Sequence, residues 1–314
     1  MLFARCCLIA AVSGELLFMS LAAFGQDLGH KVPGLLGLDA GTIPEPGLYL
    51  VDRGAIYQAR ELRDRNGNVV PLSAFYFRAS GNELGLSYTR KLSWGAFLTI
   101  GAGAPISRLK LSVPDLLEAG VDRFGLGDVY VQPFGLGWRH PHSEVVTSYG
   151  IYIPTDKSEL AGGKGLSSGE ITHEFSLGGS QYLKDRTVFL TGLASYQLYS
   201  KQRGIDVTRG DEVQVQGGAG IRLLKQFIET GVASYALWQV RDHRGTGLPP
   251  VLRSARDRVY GVGPEVAVLI PPLRGQLRVR YEWDLSAQAR PQGHIFVADL
   301  FFLVHKPKNG APTP

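Results

Sequence analysis

Hydrophobic and polar side chains alternate along much of the chain, most cleanly near the C-terminus. From Gln276 to Ser286 the sequence reads QLRVRYEWDLS, in which every second residue is apolar or aromatic and the residues between are polar or charged. Successive side chains of a β-strand point to opposite faces, so this period of two predicts a strand between two unlike environments. In a soluble sheet the apolar face meets a protein core. In an outer-membrane barrel it meets lipid, and the polar face lines the lumen.

Similar segments recur to the end of the chain and predict an all-β fold, an antiparallel up-and-down transmembrane β-barrel of about 12 strands. The second segment is interrupted at residues 80–82 and could instead be a loop followed by a shorter strand. The barrel as a whole is expected to span residues 47–304. The predicted strands cover residues 47–59, 72–91, 95–104, 127–139, 144–154, 171–183, 187–199, 211–224, 227–240, 258–270, 275–286 and 293–304.

The predicted connections alternate between short and long, and this sorting favours a membrane barrel over a soluble sandwich. Long connections are predicted at 105–126, 155–170, 200–210 and 241–257, with short ones between them. Outer-membrane barrels place short turns on the periplasmic side and long loops outside. A soluble secreted β-sandwich remains the alternative fold, because it would also alternate apolar and polar residues.

The N-terminus is typical of a secretory signal that is cleaved on export. Arg5 precedes an apolar run from Cys6 to Met19, and small residues follow it, so residues 1–25 are expected to be removed. Residues 26–46 are then expected to form an N-terminal periplasmic segment, and residues 305–314 a C-terminal tail. The only two cysteines lie within the predicted signal, which leaves the mature chain without a disulfide.

Composition narrows the possible partners. The formal net charge is +5, and the basic residues are dispersed rather than clustered with aromatic ones. This pattern gives no support to nucleic-acid binding. The expected partners are outer-membrane lipid and, during biogenesis, the barrel-assembly machinery.

Several Gly-rich motifs, taken in order, resemble the bacterial family associated with the meta pathway of phenol degradation. The resemblance implies an outer-membrane β-barrel with a role in the passage of small hydrophobic or aromatic compounds. The sequence departs from the expected pattern at Asp156, where the family usually has Gly, and in a tail that places Phe302 away from the C-terminus. The motifs are GLDAGTIPEPGLYLVD (37–52), FGLGDVYVQPFGLGWR (124–139), GIYIPTDKSE (150–159), RGDEVQVQGGAGIRL (209–223), RVYGVGPEVAVLI (258–270) and ARPQGHIFVADLFF (289–302).

Patterns that could carry chemistry are weak, and we predict neither an enzyme nor a cofactor. Residues 165–169 match G-x-S-x-G, but a nucleophile elbow needs a strand before it and a helix after it, and here a polar loop precedes a strand. His140 and His142 share a short turn, yet no third metal ligand has a useful spacing.

Polar residues on the predicted inner face are the better functional candidates. They either pair with each other and brace the barrel, or shape a pore and select what passes. A hydrophobic solute could instead use apolar lumen residues such as Phe189, Tyr199 and Phe301 and leave sideways into lipid. The predicted lumen-lining residues are Arg278, Arg280, Glu282, Asp284, Glu212, Gln214, Gln216, Arg222, Glu265 and Asp299.

Three functional hypotheses follow for a barrel of this kind. The first is a passive channel for small hydrophobic or aromatic compounds, gated by residues 105–126 and 155–170. The second is an outer-membrane barrel enzyme, which would need a catalytic cluster at the extracellular strand ends. The third is a structural or adhesive barrel without transport.

Overall fold

The computed structural model describes residues 32–115, 120–158 and 162–307, and its strands form one closed antiparallel sheet. Each strand pairs with its neighbour in the chain, except that β4 and β5 both pair with β3, and β1 also pairs with β13, which closes the barrel. The strands are β1 (Gly47–Leu62), β2 (Tyr76–Lys91), β3 (Phe97–Ser112), β4 (Val121–Leu126), β5 (Val129–Arg139), β6 (Ser143–Ile153), β7 (Thr172–Leu183), β8 (Val188–Tyr199), β9 (Glu212–Leu223), β10 (Ile228–Gln239), β11 (Arg258–Ile270), β12 (Gly275–Gln288) and β13 (Pro291–His305).

β4 and β5 occupy a single position in the barrel. Both pair with β3, and only Gly127 and Asp128 separate them. The sheet is therefore a closed barrel of 12 strands in up-and-down order, which confirms the predicted fold. β2 runs unbroken through residues 80–82, so the second predicted strand is continuous.

The register sorts side chains into a polar inner face and an apolar outer face. On β12, Arg280 and Glu282 are buried inside the barrel, whereas Trp283 and Leu285 are 49% and 65% exposed on the outside. Leu84 on β2 and Leu177 on β7 are likewise 55% and 63% exposed. A largely apolar belt of this kind matches the lipid-facing band of a membrane barrel.

The two ends of the barrel differ in their connections. One end carries short turns at 92–96, 140–142, 184–187, 224–227 and 271–274. The other carries longer connections at 63–75, 113–120, 154–171, 200–211 and 240–257, together with a two-residue turn at 289–290. We refer to these as the periplasmic and extracellular ends, following the usual orientation of such barrels.

The predicted long loop at 105–126 is wrong, because most of it is strand. β3 continues to Ser112, and β4 pairs with it, which leaves only 113–120 as a connection. The alternation was obscured because the outer positions near the extracellular end, such as Arg108, Lys110 and Asp122, are charged, whereas the inward Leu109 and Leu111 are apolar. Arg108 and Asp122 form a cross-strand ion pair at 2.7 Å instead of presenting apolar side chains.

In the part of the chain that the structure describes, helical structure is limited to short turns. One α-helical turn spans Pro250–Arg253, and 3-10 turns span Gly37–Asp39 and Pro271–Leu273. Within the described ranges, no helix is long and apolar enough to cross a membrane.

Residues 32–46 lie inside the barrel, not in the periplasm where we expected them. Their backbone N–H groups donate to inward side chains: Leu36 to Gln216 and Leu38 to Glu265, both at 3.0 Å. We call residues 32–46 the plug. It adjoins β1 at the periplasmic end, and Val32 and Leu35 pack on an apolar cluster of inward side chains that includes Phe77, Val259 and Ile295. The predicted signal at 1–25 lies outside the described residues, and so does most of the predicted tail.

Candidate functional site

Arg280 on β12 holds the N-terminal part of the plug. Its Nε donates to the carbonyl of Gly34 at 2.6 Å, and its Nη2 donates to the carbonyl of Leu35. The same guanidinium pairs with Asp299 at 3.1 Å. Irregular backbone that is buried must find hydrogen-bond partners. The five N–H donors of an arginine can bind carbonyls that have no partner in a helix or sheet.

Glu265 on β11 joins the plug to both arginines of β12. Its carboxylate accepts from the Leu38 N–H and pairs with Arg278 and, at 3.3 Å, with Arg280. Arg278 in turn binds the side chain of Asp39 in the plug. These buried charges are thus paired with each other and with the plug, as the low dielectric of a protein interior requires.

The C-terminal part of the plug is held near the periplasmic end. The Ile43 N–H donates to Glu144 at 3.0 Å, and its carbonyl accepts from Arg139 at 2.7 Å. Gly41 lies so close to the wall that a Cβ would collide with backbone atoms of β7 and β8, and its φ of +78° also favours glycine. The Ser180 hydroxyl donates to its carbonyl at 3.1 Å.

The ten predicted lumen residues all lie on the inner face and are largely buried. Gln216, Glu265, Arg278 and Arg280 contact the plug directly. The others join side-chain networks on the wall, for example Arg222 with Glu229 at 2.8 Å. Asp284 accepts from two tyrosines, and Glu212 accepts from Tyr199 and Arg209.

A cavity of about 420 Å³ remains on the side of the lumen that the plug leaves free. Val32, Leu35 and Leu36 of the plug form one side of it, and the inner faces of β1–β3 and β5–β8 form the other. Among the residues that the structure describes, the cavity lining includes none of the ten predicted lumen residues, and their predicted role in lining a solute path stays a prediction.

The cavity combines apolar and aromatic surface with a few polar groups. Tyr57, Tyr130 and Tyr152 supply ring surface, and Leu193 and Ile295 add aliphatic surface. Its polar lining includes Arg53, Glu83, Gln132 and Glu174. This volume and this mixture are typical of sites for small organic molecules.

The cavity wall was missed at the sequence level because its strands alternate less cleanly. Inward positions of β3, β5 and β6 include Gly101, Gly103, Gly135 and Gly150, as the register shows. A glycine carries no polar side chain that would mark an inner face. The glycine content itself was the available signal, since it leaves room inside a narrow barrel.

Extracellular connections cover the cavity. Leu166, Ser167 and Ser168 of the 154–171 connection border it, so the loop predicted at 155–170 lies where a gate would be. Asp128 fixes this loop by accepting from the Ser168 hydroxyl at 2.7 Å and its N–H at 3.0 Å. Ser167, in the G-x-S-x-G match, donates to the carbonyl of Asp156 at 3.1 Å.

Burial shifts the pKa values of Glu170, Asp257 and His243, which lie in the connections at this end. Burial raises the pKa of Glu170 to about 8, although Arg209 opposes the shift. Burial also raises the pKa of Asp257 to about 6, opposed by Arg290. Burial, followed by the charge of Arg209, lowers the pKa of His243 to about 4, so its neutral ring accepts from the Gly210 N–H at 3.2 Å.

The seam between β3 and β5 is the irregular part of the wall beside the cavity. The register shifts between Thr99 and Gly101, where β5 carries an extra residue near Pro133. It shifts again near Pro105, where Gly127 donates to the proline carbonyl at 2.8 Å. A proline cannot donate to a ladder, so each of these strands has one ladder donor fewer at its proline.

His140 and His142, for which the sequence offered no third metal ligand at a useful spacing, are exposed in the 140–142 turn. Within the described residues, His, Cys, Asp and Glu side chains form no group of three or more that could hold a metal ion.

The closed barrel, apolar belt and occupied polar lumen define an outer-membrane β-barrel. Residues 59–300 match the model of the family described as "Putative MetA-pathway of phenol degradation", and the chain belongs to that family. The predicted resemblance is confirmed. A search of curated proteins found no significant match.

Two solved structures illustrate the likeness in fold. The COG4313 outer membrane channel from Pseudomonas putida F1 is 14% identical, with a TM-score of 0.71 over 84% of this chain and 97% of that chain. The β domain of the Bordetella autotransporter BrkA is also 14% identical, with a TM-score of 0.50 over 82% of this chain and 100% of that chain. At these identities the comparisons establish the fold.

Proposed function

We propose that the protein is a passive outer-membrane channel for small hydrophobic compounds, aromatic ones among them. The observation that carries this proposal is the cavity of about 420 Å³ between the plug and the wall. The family description refers to phenol degradation, and the similar Pseudomonas structure is named a channel. Both are consistent with a solute of this class.

The cavity lining favours an apolar solute with at most one or two polar groups. An aromatic ring would contact Tyr130 and Tyr152, whose own rings lie 4.7 Å apart. A phenolic hydroxyl would find Gln132 or Glu83 within the same cavity. Passage of this kind is diffusion down a gradient, without covalent chemistry.

Entry and exit would require movement at opposite sides of the cavity. The 154–171 connection covers it from the extracellular end, and the plug separates it from the periplasmic end. We assign the exit to the seam between β3 and β5. Pro105 and Gln132 border the cavity directly behind this seam, and the two register shifts interrupt its ladder.

Uptake by whole cells tests this function. Cells that produce the protein should take up radiolabelled toluene or phenol faster than cells that lack it, with no gain for arabinose of similar size. Equal gains for arabinose would indicate a general pore instead. No gain for any solute, with the folded barrel present in the outer membrane, would favour the structural alternative.

A further inference from the structure

The lipid-facing surface carries a polar pair that the barrel itself does not use. Arg53 points inward to Asp299 at 2.7 Å, so its neighbour Asp52 points outward. On the adjacent strand, the exposed Asn82 also faces outward, and its amide Nδ2 donates to Asp52 Oδ1 at 2.5 Å. An aspartate on the lipid face of a strand is unexpected, because a charge there is costly.

Strand register gives the depth of this pair. Because barrel strands are tilted by roughly 35–45°, a row of paired residues climbs around the barrel from one end to the other. Toward the periplasm, the row from Asp52 ends beside the β9–β10 turn, passing through Leu300, Leu277, Val268, Ile228 and Leu223. In the other direction it passes through Leu84 and Ala104 and approaches the extracellular end of β6. Asp52 thus lies roughly midway, near the bilayer midplane.

Small residues lie on part of the outer face around the pair, although its direct cross-strand neighbours include Leu84, Leu300 and Ile106. Gly54 follows Asp52 at the next outward position of β1, and a Cβ built on it would lie 3.4 Å from Asn82 Oδ1. Ala298 on β13 pairs with Gly54, and Ala104 on β3 pairs with Leu84. The patch is therefore shallow on the side of Gly54 and Ala298, and another protein wall could approach its polar atoms closely there.

We propose that this patch is a dimer interface between two copies of the chain, related by a two-fold axis along the membrane normal. A second copy inserted in the same orientation places its own Asp52 and Asn82 at the same depth, a condition that an unrelated partner would have to meet by chance. The pair is also self-complementary. Asp52 retains a second carboxylate oxygen, and Asn82 retains a second N–H, so each copy can donate to the other.

Cysteine crosslinking in native outer membranes tests the interface. With Cys6 and Cys7 replaced by serine, Leu84→Cys places one thiol beside Asp52, and Leu177→Cys is the matched control on the far side of the barrel. Copper-phenanthroline oxidation should convert Leu84→Cys to a dimer of twice the chain mass, several-fold more than Leu177→Cys. Equal crosslinking of the two variants would overturn the proposal, as would a crosslinked product of another mass.

A second variant separates a specific interface from random collisions. Asp52→Leu with Asn82→Leu should lower the crosslinking of Leu84→Cys to the level of the control. Leucine is well suited to a lipid-facing position, so this variant is expected to fold, which heat-modifiable gel migration will verify. Undiminished crosslinking in the folded double variant would contradict the role of the polar pair. These outcomes concern dimerisation alone and are independent of solute uptake.

Discussion

The two sides of the lumen are built differently. On β11 and β12, buried arginines and carboxylates hold the plug by its backbone, as Arg280 does with Gly34 and Leu35. On β2, β3, β5 and β6, glycines and aromatic residues leave a cavity against the other side of the plug. We call the first the anchor wall and the second the cavity wall. The comparison teaches that the most conspicuous charges of the sequence fix an internal segment, while the space for a solute lies where the sequence pattern is weakest.

The largest expected effect comes from removing an anchor. Arg280→Ala should release the N-terminal part of the plug, because it leaves Glu265, Glu282 and Asp299 without their shared cation. Breaking a buried ion pair costs about 3–5 kcal/mol. Hydrogen exchange of residues 34–43 should rise sharply, and single-channel conductance should increase. Arg258→Ala, an exposed arginine on β11, is the control and should change neither. An unchanged exchange rate in Arg280→Ala would show that the anchor wall does not hold the plug.

Filling the cavity should stop passage without loosening the plug. Ser148 borders the cavity on the inner face of β6, and its neighbour Thr147 faces outward. Ser148→Trp should reduce toluene uptake by about tenfold or more, equivalent to about 1.4 kcal/mol of lost binding. Thr147→Trp should leave uptake near that of the parent. Equal uptake by both variants would show that the solute does not pass through the cavity.

A reversible crosslink tests the exit at the seam. Ala102 and Val131 are paired outward positions on β3 and β5, and Ala219 and Val232 are such a pair on the regular β9–β10 ladder. Oxidation of the Ala102→Cys, Val131→Cys variant should lower uptake several-fold, and reduction should restore it. The Ala219→Cys, Val232→Cys control should respond to neither treatment. If cells with the oxidised variant take up the solute at the normal rate, the solute leaves by another route.

The smallest expected effect is a pH dependence of the cover over the cavity. The pKa of Glu170 is raised from 4.5 to about 8 by burial. The folded state therefore binds this proton more tightly than the unfolded state. The contribution of Glu170 to the free energy of unfolding is fully present below about pH 4.5. It declines as pH rises through 8, by at most about 1.4 kcal/mol per pH unit. After correction for the intrinsic pH dependence of amide exchange, the protection of residues 162–171 should fall over this range, and Glu170→Gln should flatten this protection profile. A profile that Glu170→Gln does not alter would assign the dependence to another group.

Most of the barrel was predictable because lipid and lumen impose a period of two. β12 alternates without interruption between inward Arg278, Arg280 and Glu282 and outward Val279 and Tyr281, and its prediction required only local pattern. β4 was not predicted as a strand, and the reason is the same physical one. Outside the apolar belt the outer face no longer needs apolar side chains, so Arg108 and Asp122 removed the signal.

The plug could not be predicted in this way. Residues 32–46 read VPGLLGLDAGTIPEP, which has neither a strand nor a helix period. Their conformation depends on partners more than 100 residues away, such as Glu265 for the Leu38 N–H. The inner face of the charged strands was readable, but the identity of what those charges bind was not. The two prolines at the seam, Pro105 and Pro133, were a usable signal, since proline within a strand marks a bulge or an edge.

The most direct test of the account is a crystal structure of the protein soaked with bromobenzene, with the bromine located by anomalous diffraction. The account predicts residues 32–46 inside the barrel against Arg278 and Arg280, and a bromine peak in the cavity beside Tyr130, Ser148 and Tyr152. A bromine peak among the charges of the anchor wall, or a plug outside the barrel, would contradict it.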